Sequence, residues 1–184
     1  MRWTVPNLLS LLRIALVAPF LLALLRGEPK TALAIIVVAG VSDALDGFIA
    51  RFFHQQSQLG AYLDPVADKL LLTSAYVALA LPGIHPGMRV PVWVTVLVLA
   101  RDVLIVAAAL TLYLTIGERH FPPSQISKLT TVFQVSGVIL VLLSGLWSRL
   151  ELGSRLVLYA AASLTIVSGL DYVVRTHRRL KRRI

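Results

Sequence analysis

The sequence predicts an all-α integral membrane protein, a bundle of six transmembrane helices. Three observations predict it. Hydrophobic residues make up 57% of the 184 positions and charged residues only 15%, with a mean hydropathy of +0.80. Six apolar stretches approach the roughly 20 residues that a helix needs to cross a hydrocarbon core of about 30 Å. The connectors between them are short and carry Gly and Pro, as turns between antiparallel helices do. The stretches cover residues 6 to 25, 31 to 50, 62 to 81, 90 to 114, 131 to 147 and 152 to 174. Residues 1–174 therefore read as one membrane domain and 175–184 as a basic tail.

The first stretch follows Trp3 and Pro6 and includes Arg13 and Pro19. It lacks the small-residue cleavage site of a signal peptide, so it is expected to remain in the mature protein. Pro19 predicts a kink, or a break between an interfacial piece and a membrane piece. Gly27 with Pro29 separates stretch 1 from stretch 2. Pro82-Gly83 and Pro86-Gly87 end the third, and Pro91 opens the fourth, where a missing backbone donor costs least. Pro122-Pro123, Gly145 and Gly153 mark the last connectors.

Charge orients the bundle. Of the formal +9, six positive charges lie in the tail, on Arg175, Arg178, Arg179, Lys181, Arg182 and Arg183. A basic tail beside an apolar body fits anionic membrane lipids and not nucleic acid, which would want a larger soluble basic face. With six spans both termini share one side. That side receives ten basic residues, including Arg2, Arg51, Arg119 and Lys128, against five on the other. The positive-inside rule then places both termini in the cytoplasm. Cysteine is absent, which excludes disulfides, a thiol nucleophile, thiolate metal sites and iron–sulfur clusters.

Four of the nine acidic residues, Asp43, Asp46, Asp64 and Asp68, fall within 26 positions at the borders of apolar stretches. Carboxylates there are costly. Helix capping, with Asp64 opening the third helix, or an interfacial loop is the structural alternative. The spacing favours a shared partner. Asp43 and Asp46 are three apart, Asp64 and Asp68 four apart, so each pair can share a helix face. A hairpin between helices 2 and 3 brings both pairs to one membrane depth, on the cytoplasmic side. Four close carboxylates cannot all stay charged in a low dielectric without cations, and hard divalent ions, Mg2+ or Mn2+, suit oxygen ligands. Gly47 and Gly60 serve either close helix packing or room for a bulky polar substrate. Arg51, eight positions after Asp43, can reach a phosphate or lie solvated at a helix end.

Together these residues read Asp43-x-x-Asp46-Gly47-x-x-Ala50-Arg51, eight residues, then Gly60-x-x-x-Asp64-x-x-x-Asp68. This resembles the signature of the CDP-alcohol phosphatidyltransferase family at every fixed position, and the resemblance extends along nearly the whole chain. It implies an integral membrane enzyme with a six-helix core. Such an enzyme uses divalent metal to transfer a phosphatidyl or similar group from a CDP-linked donor to an alcohol, releasing CMP. By position, Asp43, Asp46, Asp64 and Asp68 resemble the family's metal ligands, for two ions, with Asp68 also its general base. Gly47, Ala50, Arg51 and Gly60 resemble its CDP-donor site. The implied setting is a bacterial cytoplasmic membrane with the active site facing the cytoplasm. The resemblance also implies homodimerisation, although no residues mark its surface.

Pro6-Asn7-Leu8-Leu9-Ser10-Leu11-Leu12-Arg13 resembles the family's N-terminal segment. Asn7 either caps or takes part in the site. Arg13 can snorkel to lipid phosphates, reach the carboxylates, or anchor at the interface. Arg101 and Asp102 interrupt the fourth apolar stretch. As helical neighbours about 100 degrees apart they need not pair, and Arg101 either satisfies charge inside the bundle or binds an anionic acceptor. Lys128 is a further phosphate-binding candidate, which Thr130, Thr131 and Gln134 could orient, although such residues also join membrane helices. The four histidines have no metal-ligand spacing.

Two subgroups compete for the acceptor. Glycerophosphate phosphatidyltransferases show Arg-Glu in helix 4 and Gly-Lys-x-x-Thr before helix 5. Arg101-Asp102 and Ser127-Lys128-Leu129-Thr130-Thr131 depart from this, and Ser127-Lys128 resembles the eukaryotic-type cardiolipin synthases. The resemblance thus favours phosphatidylglycerol as acceptor, giving cardiolipin and CMP, over glycerol 3-phosphate. A cation-binding transporter is the nonenzymatic rival, because buried carboxylates also conduct ions.

Overall fold

The structure is a computed structural model that describes residues 5–52, 58–84, 87–116 and 124–181. Among these the chain forms six α-helices: α1 (Val5–Leu25), α2 (Pro29–Phe52), α3 (Gln58–Ala80), α4 (Val92–Ile116), α5 (Gln125–Ser144) and α6 (Glu151–Lys181). A 3-10 turn, Ser148–Leu150, leads into α6. They match the six predicted stretches in order. Among the described residues, four segments are long and apolar enough to cross a membrane: Leu8–Leu25, Val92–Thr115, Gln125–Ser144 and Ser148–Lys181. The chain divides into two compact units, residues 1–89 with 138–151, and residues 90–137 with 152–184.

In the first unit α1 packs against both α2 and α3. The buried stripe of α1 runs through Ser10, Arg13, Phe20, Ala23 and Leu24, that of α2 through Ala32, Ile36 and Ala39, and that of α3 through Ala67, Leu71, Ala75 and Ala78. Most of these are three, four or seven residues apart, the period of one helix face. The many alanines allow close backbone approach, which suits helices that cannot rely on a hydrophobic drive from surrounding water. Leu22, Val37, Val38 and Val77 point outward from the same helices. Apolar residues thus lie on both the buried and the exposed faces of these helices.

The α1–α2 junction shows how local sequence sets the antiparallel turn. Gly27 adopts φ +69°, a left-handed conformation that glycine takes without a Cβ penalty. Its N–H donates to Leu24 O at 2.9 Å and the Glu28 N–H donates to Ala23 O at 2.9 Å, the paired bonds of a Schellman cap. Pro29 then opens α2, and Thr31 Oγ1 donates to Glu28 Oε2 at 3.0 Å across its first turn.

The second unit has a more polar interior. Val94, Val98, Ala108 and Leu112 of α4 are buried, as are Leu158, Ala161, Ala162 and Tyr172 of α6. Buried among the same helices and α5 are Arg101, Ser127, Thr130, Gln134, Thr165 and Ser168. Near the start of α4, Trp93 stacks on Tyr159 of α6 with ring centroids 6.0 Å apart.

Four sequence expectations change. Pro19 lies inside α1, which continues on both sides of it, so the first helix is not two pieces. Asp64 lies within α3, which begins at Gln58, and therefore does not cap that helix. Helix α5 starts at Gln125 and not near 131, because Ser124 caps it: the Ser127 N–H donates to Ser124 Oγ at 3.0 Å. Helix α6 runs through to Lys181, so the described part of the basic tail extends the last helix. Hydropathy falls at residue 174, but arginine and lysine are good helix formers, and Arg175 Nε donates to Asp171 Oδ1 at 2.9 Å one turn back.

Candidate active site

Arg13, Asp43 and Asp68 come from three helices and meet. Arg13 sits on the buried stripe of α1, seven residues before Phe20, and is 1% exposed. Asp43 continues the α2 stripe one turn beyond Ala39, and Asp68 follows Ala67 on α3. The Nη1 group of Arg13 donates to Asp43 Oδ1 at 2.8 Å and also to Asp68 Oδ1. The two carboxylates are 52% and 49% exposed. The guanidinium is therefore enclosed by protein while both anions keep an open side.

That arrangement follows from where the apolar seams end. Among the described residues, Ser10, Arg13 and Ser42 are the buried polar residues of α1 and α2, within otherwise apolar stripes. A buried guanidinium without counter-charges would be costly, and two carboxylates at one nitrogen offset that cost. In return the cation relieves the repulsion that would otherwise splay Asp43 and Asp68.

Asp46, Gly47, Ala50 and Arg51 lie in α2 and Gly60 and Asp64 in α3, but their side chains lie outside the described residues, as does that of Asn7. Among the described residues no group of three or more Asp, Glu or His forms a metal cluster. The donor set at Asp43 and Asp68 nevertheless fits a hard divalent ion. Two anionic oxygens from separate helices converge on one cation position and stay half open to the outside.

Arg101, in the second unit, is 7% exposed and held on every side. Its Nη1 donates to Asp102 Oδ1 at 2.9 Å, so the neighbours expected not to need each other do pair. Its Nη2 donates to Ser127 Oγ at 2.5 Å and to Ser168 Oγ at 3.0 Å, and Nε to Ser168 Oγ at 3.4 Å. This ties α4 to α5 and α6. Sequence reasoning missed Ser168 altogether. Its signal was the run Ser154, Leu158, Ala161, Thr165, Ser168, Tyr172, one helix face carrying small hydroxyl residues.

Lys128 is exposed on the first turns of α5. The residues expected to orient it do something else. Thr130 Oγ1 donates to Ile126 O at 2.7 Å and Leu164 O at 3.2 Å, and Gln134 Nε2 donates to Thr165 Oγ1 at 3.1 Å. Both tie α5 to α6. Thr131 Oγ1 donates to Ser127 O at 3.1 Å within its own helix. His177 is exposed near the end of α6.

Comparison with known proteins adds chemistry to this geometry. A protein of Mycobacterium tuberculosis named "Probable phosphatidylglycerophosphate synthase" is 36% identical over 178 residues, covering 94% of this chain and 81% of that protein. A Streptomyces coelicolor protein named "Cardiolipin synthase (CMP-forming)" is 41% identical over 133 residues, 68% of this chain and 57% of its own. The Rattus norvegicus protein of the same name is 41% identical over 107 residues, 58% of this chain and 34% of its own. All three are named as synthases, in accord with an enzyme and against the transporter reading. The profile of the CDP-alcohol phosphatidyltransferases matches residues 3–167, a span that takes in Arg13, Asp43, Asp68, Arg101 and Lys128 alike. With its long apolar helices and a match over most of its length, the chain is a multi-pass membrane enzyme and belongs to the CDP-alcohol phosphatidyltransferase family.

Proposed function

We propose that this protein transfers the phosphatidyl group of CDP-diacylglycerol to a hydroxyl of phosphatidylglycerol, forming cardiolipin and CMP. The observation that carries the reading is the convergence of Asp43 and Asp68 at Arg13, two residues of the aspartate signature meeting across helices. In this reading all six helices cross the membrane, both termini lie in the cytoplasm, and the acidic site faces that side.

Asp43, Asp46, Asp64 and Asp68 would hold the divalent metal on which this family generally depends. When bound, Mg2+ or Mn2+ supplies charge stabilisation for the donor diphosphate and the departing CMP. Gly47, Ala50, Arg51 and Gly60 take the CDP moiety. Asp68 accepts the proton of the attacking hydroxyl as the new phosphorus–oxygen bond forms and the bond to CMP breaks. A carboxylate that already faces a cation is a weak base, so it acts as bond formation acidifies the hydroxyl, and it contributes as much by positioning as by proton transfer.

A lipid donor also has a place beside the site. An apolar cavity of about 400 Å3 lies along α1 and α3, lined by Leu21, Leu25, Thr73, Val77 and Leu81 among others. Thr73 is five residues past Asp68 on the same helix, roughly 7.5 Å along its axis. In this reading an acyl chain of the donor lies in this apolar cavity.

For the acceptor, Ser127-Lys128 favours phosphatidylglycerol, with Arg13, Arg101 and Lys128 each a candidate for its phosphate. Glycerol 3-phosphate is the second reading, favoured by the phosphatidylglycerophosphate synthase name of the relative that covers 94% of the chain. Purified protein supplied with CDP-diacylglycerol, Mg2+ or Mn2+, and each alcohol in turn decides between them. Cardiolipin from phosphatidylglycerol supports the first reading. Phosphatidylglycerophosphate alone supports the second, and no CMP release with either refutes both.

A further inference from the structure

We propose that Arg13 is the resident counter-cation of the acidic site, and that a divalent ion gains Asp43 and Asp68 only by displacing its guanidinium from them. The inference rests on the reading of these two aspartates as metal ligands, and it adds a competitor that the ligands themselves do not reveal. A single nitrogen, Arg13 Nη1, donates to Oδ1 of Asp43 and to Oδ1 of Asp68. An ion that bridges those same two Oδ1 atoms as closely therefore competes with it for that position. The contact is also directional. Arg13 is 1% exposed and reaches the carboxylates from the protein interior, whereas the carboxylates are about half exposed and are reached by solutes from the other side.

Three physical consequences follow. Without metal, the guanidinium neutralises two carboxylates that would otherwise repel, which holds α1, α2 and α3 together. An incoming ion has to outcompete that pairing, so Arg13 weakens metal affinity while it stabilises the metal-free protein. The two effects share one coupling free energy and must change together when Arg13 is altered. Arg13 is on this account a positioning residue, acting on the reaction through the metal ligands.

The test is direct Mn2+ binding to the full-length protein in detergent, read from the electron paramagnetic resonance signal of free Mn2+ without any substrate. Wild type, Arg13→Gln, Arg13→Lys and Asp43→Asn are compared, each with its thermal stability in EDTA and in saturating Mn2+. The expected result is that Arg13→Gln binds Mn2+ about fivefold or more tightly than wild type while melting several degrees lower in EDTA. Arg13→Lys, which keeps a cation, stays nearer wild type in both. Unchanged or weaker binding by a folded Arg13→Gln protein overturns the proposal. If that variant does not fold, wild type labelled with 15N-arginine answers instead. A guanidinium signal protected from exchange in EDTA should lose its protection along a Mg2+ titration, and protection that survives saturation overturns the proposal. The two readings separate cleanly. Mn2+ binding that Asp43→Asn abolishes but Arg13→Gln does not tighten removes only the competition, whereas a wild-type protein that binds no Mn2+ removes the metal-ligand reading and this inference with it.

Discussion

Arg13 Nη1 lies 2.8 Å from Oδ1 of Asp43, a residue thirty positions away on a different helix, and the same nitrogen also meets Asp68. Residues from α1, α2 and α3 therefore share one electrostatic knot at the point where three apolar seams end. The aspartate signature is thereby tied to the N-terminal helix as well as to its own hairpin, and changes in α1 should be felt in the chemistry.

Asp68→Ala is expected to lower CMP release about a thousandfold, the scale of a lost general base that also positions substrate. The protein should still purify as a folded species, because Asp68 is half exposed and Arg13 keeps Asp43 as partner. CMP release and size-exclusion profile, measured on one preparation, check both halves. Near-normal transfer by a folded Asp68→Ala protein removes the residue from the base role.

Metal removal should act on stability as well as on activity. Mn2+ at about 100 times its dissociation constant stabilises a protein that binds it only when folded by about 2.7 kcal/mol. The melting temperature in Mn2+ should therefore exceed that in EDTA, and Asp43→Asn should narrow the gap. An equal gap in wild type and Asp43→Asn would show that the ion acts elsewhere.

Arg101 lends itself to a different separation. Ser168→Ala removes one hydroxyl that accepts from a buried guanidinium, a loss of about 2 kcal/mol, and should lower stability with little change in the KM for either alcohol. Arg101→Ala removes the ion pair to Asp102 together with the bonds to Ser127 and Ser168, and should cost about 3 kcal/mol. If Arg101 also binds the acceptor, its replacement raises the acceptor KM while the donor KM stays put. Equal effects on both substrates would leave it a purely structural tie between α4, α5 and α6.

How far the site was legible depended on the kind of residue. Asp43 and Asp68 declared themselves because carboxylates at the edge of apolar stretches are rare and their spacing fits helix faces. Arg13 left three readings open, since a long side chain can snorkel, pair or anchor, and only the packing of α1 selects pairing. Ser127 was legible only as part of the Ser127-Lys128 pair and Ser168 not at all: a serine in a membrane helix is unremarkable until the helix opposite presents a guanidinium. The start of α5 was placed late for a related reason. Its polar first turns, Ser127 and Thr130, face the protein interior, and a hydropathy pattern reads interior polar residues as connector. The extension of α6 to Lys181 escaped because hydropathy marks where apolar character ends, and a helix of arginine and lysine can continue beyond it.

The cavity along α1 and α3 predicts a chain-length dependence. Val77 lines it and is 41% exposed, so a larger side chain can be placed there without filling the core. Val77→Trp should lower kcat/KM for a CDP-diacylglycerol with long acyl chains about tenfold, the scale on which apolar pockets discriminate. A donor with short chains, which does not extend as far as Val77, should keep its rate within about twofold, because the acidic site is untouched. The ratio of the two rates is the informative quantity, since a general loss of folded enzyme lowers both and cancels. A ratio unchanged from wild type would mean that the donor chain runs elsewhere, and that the cavity is filled by bulk lipid without consequence for transfer.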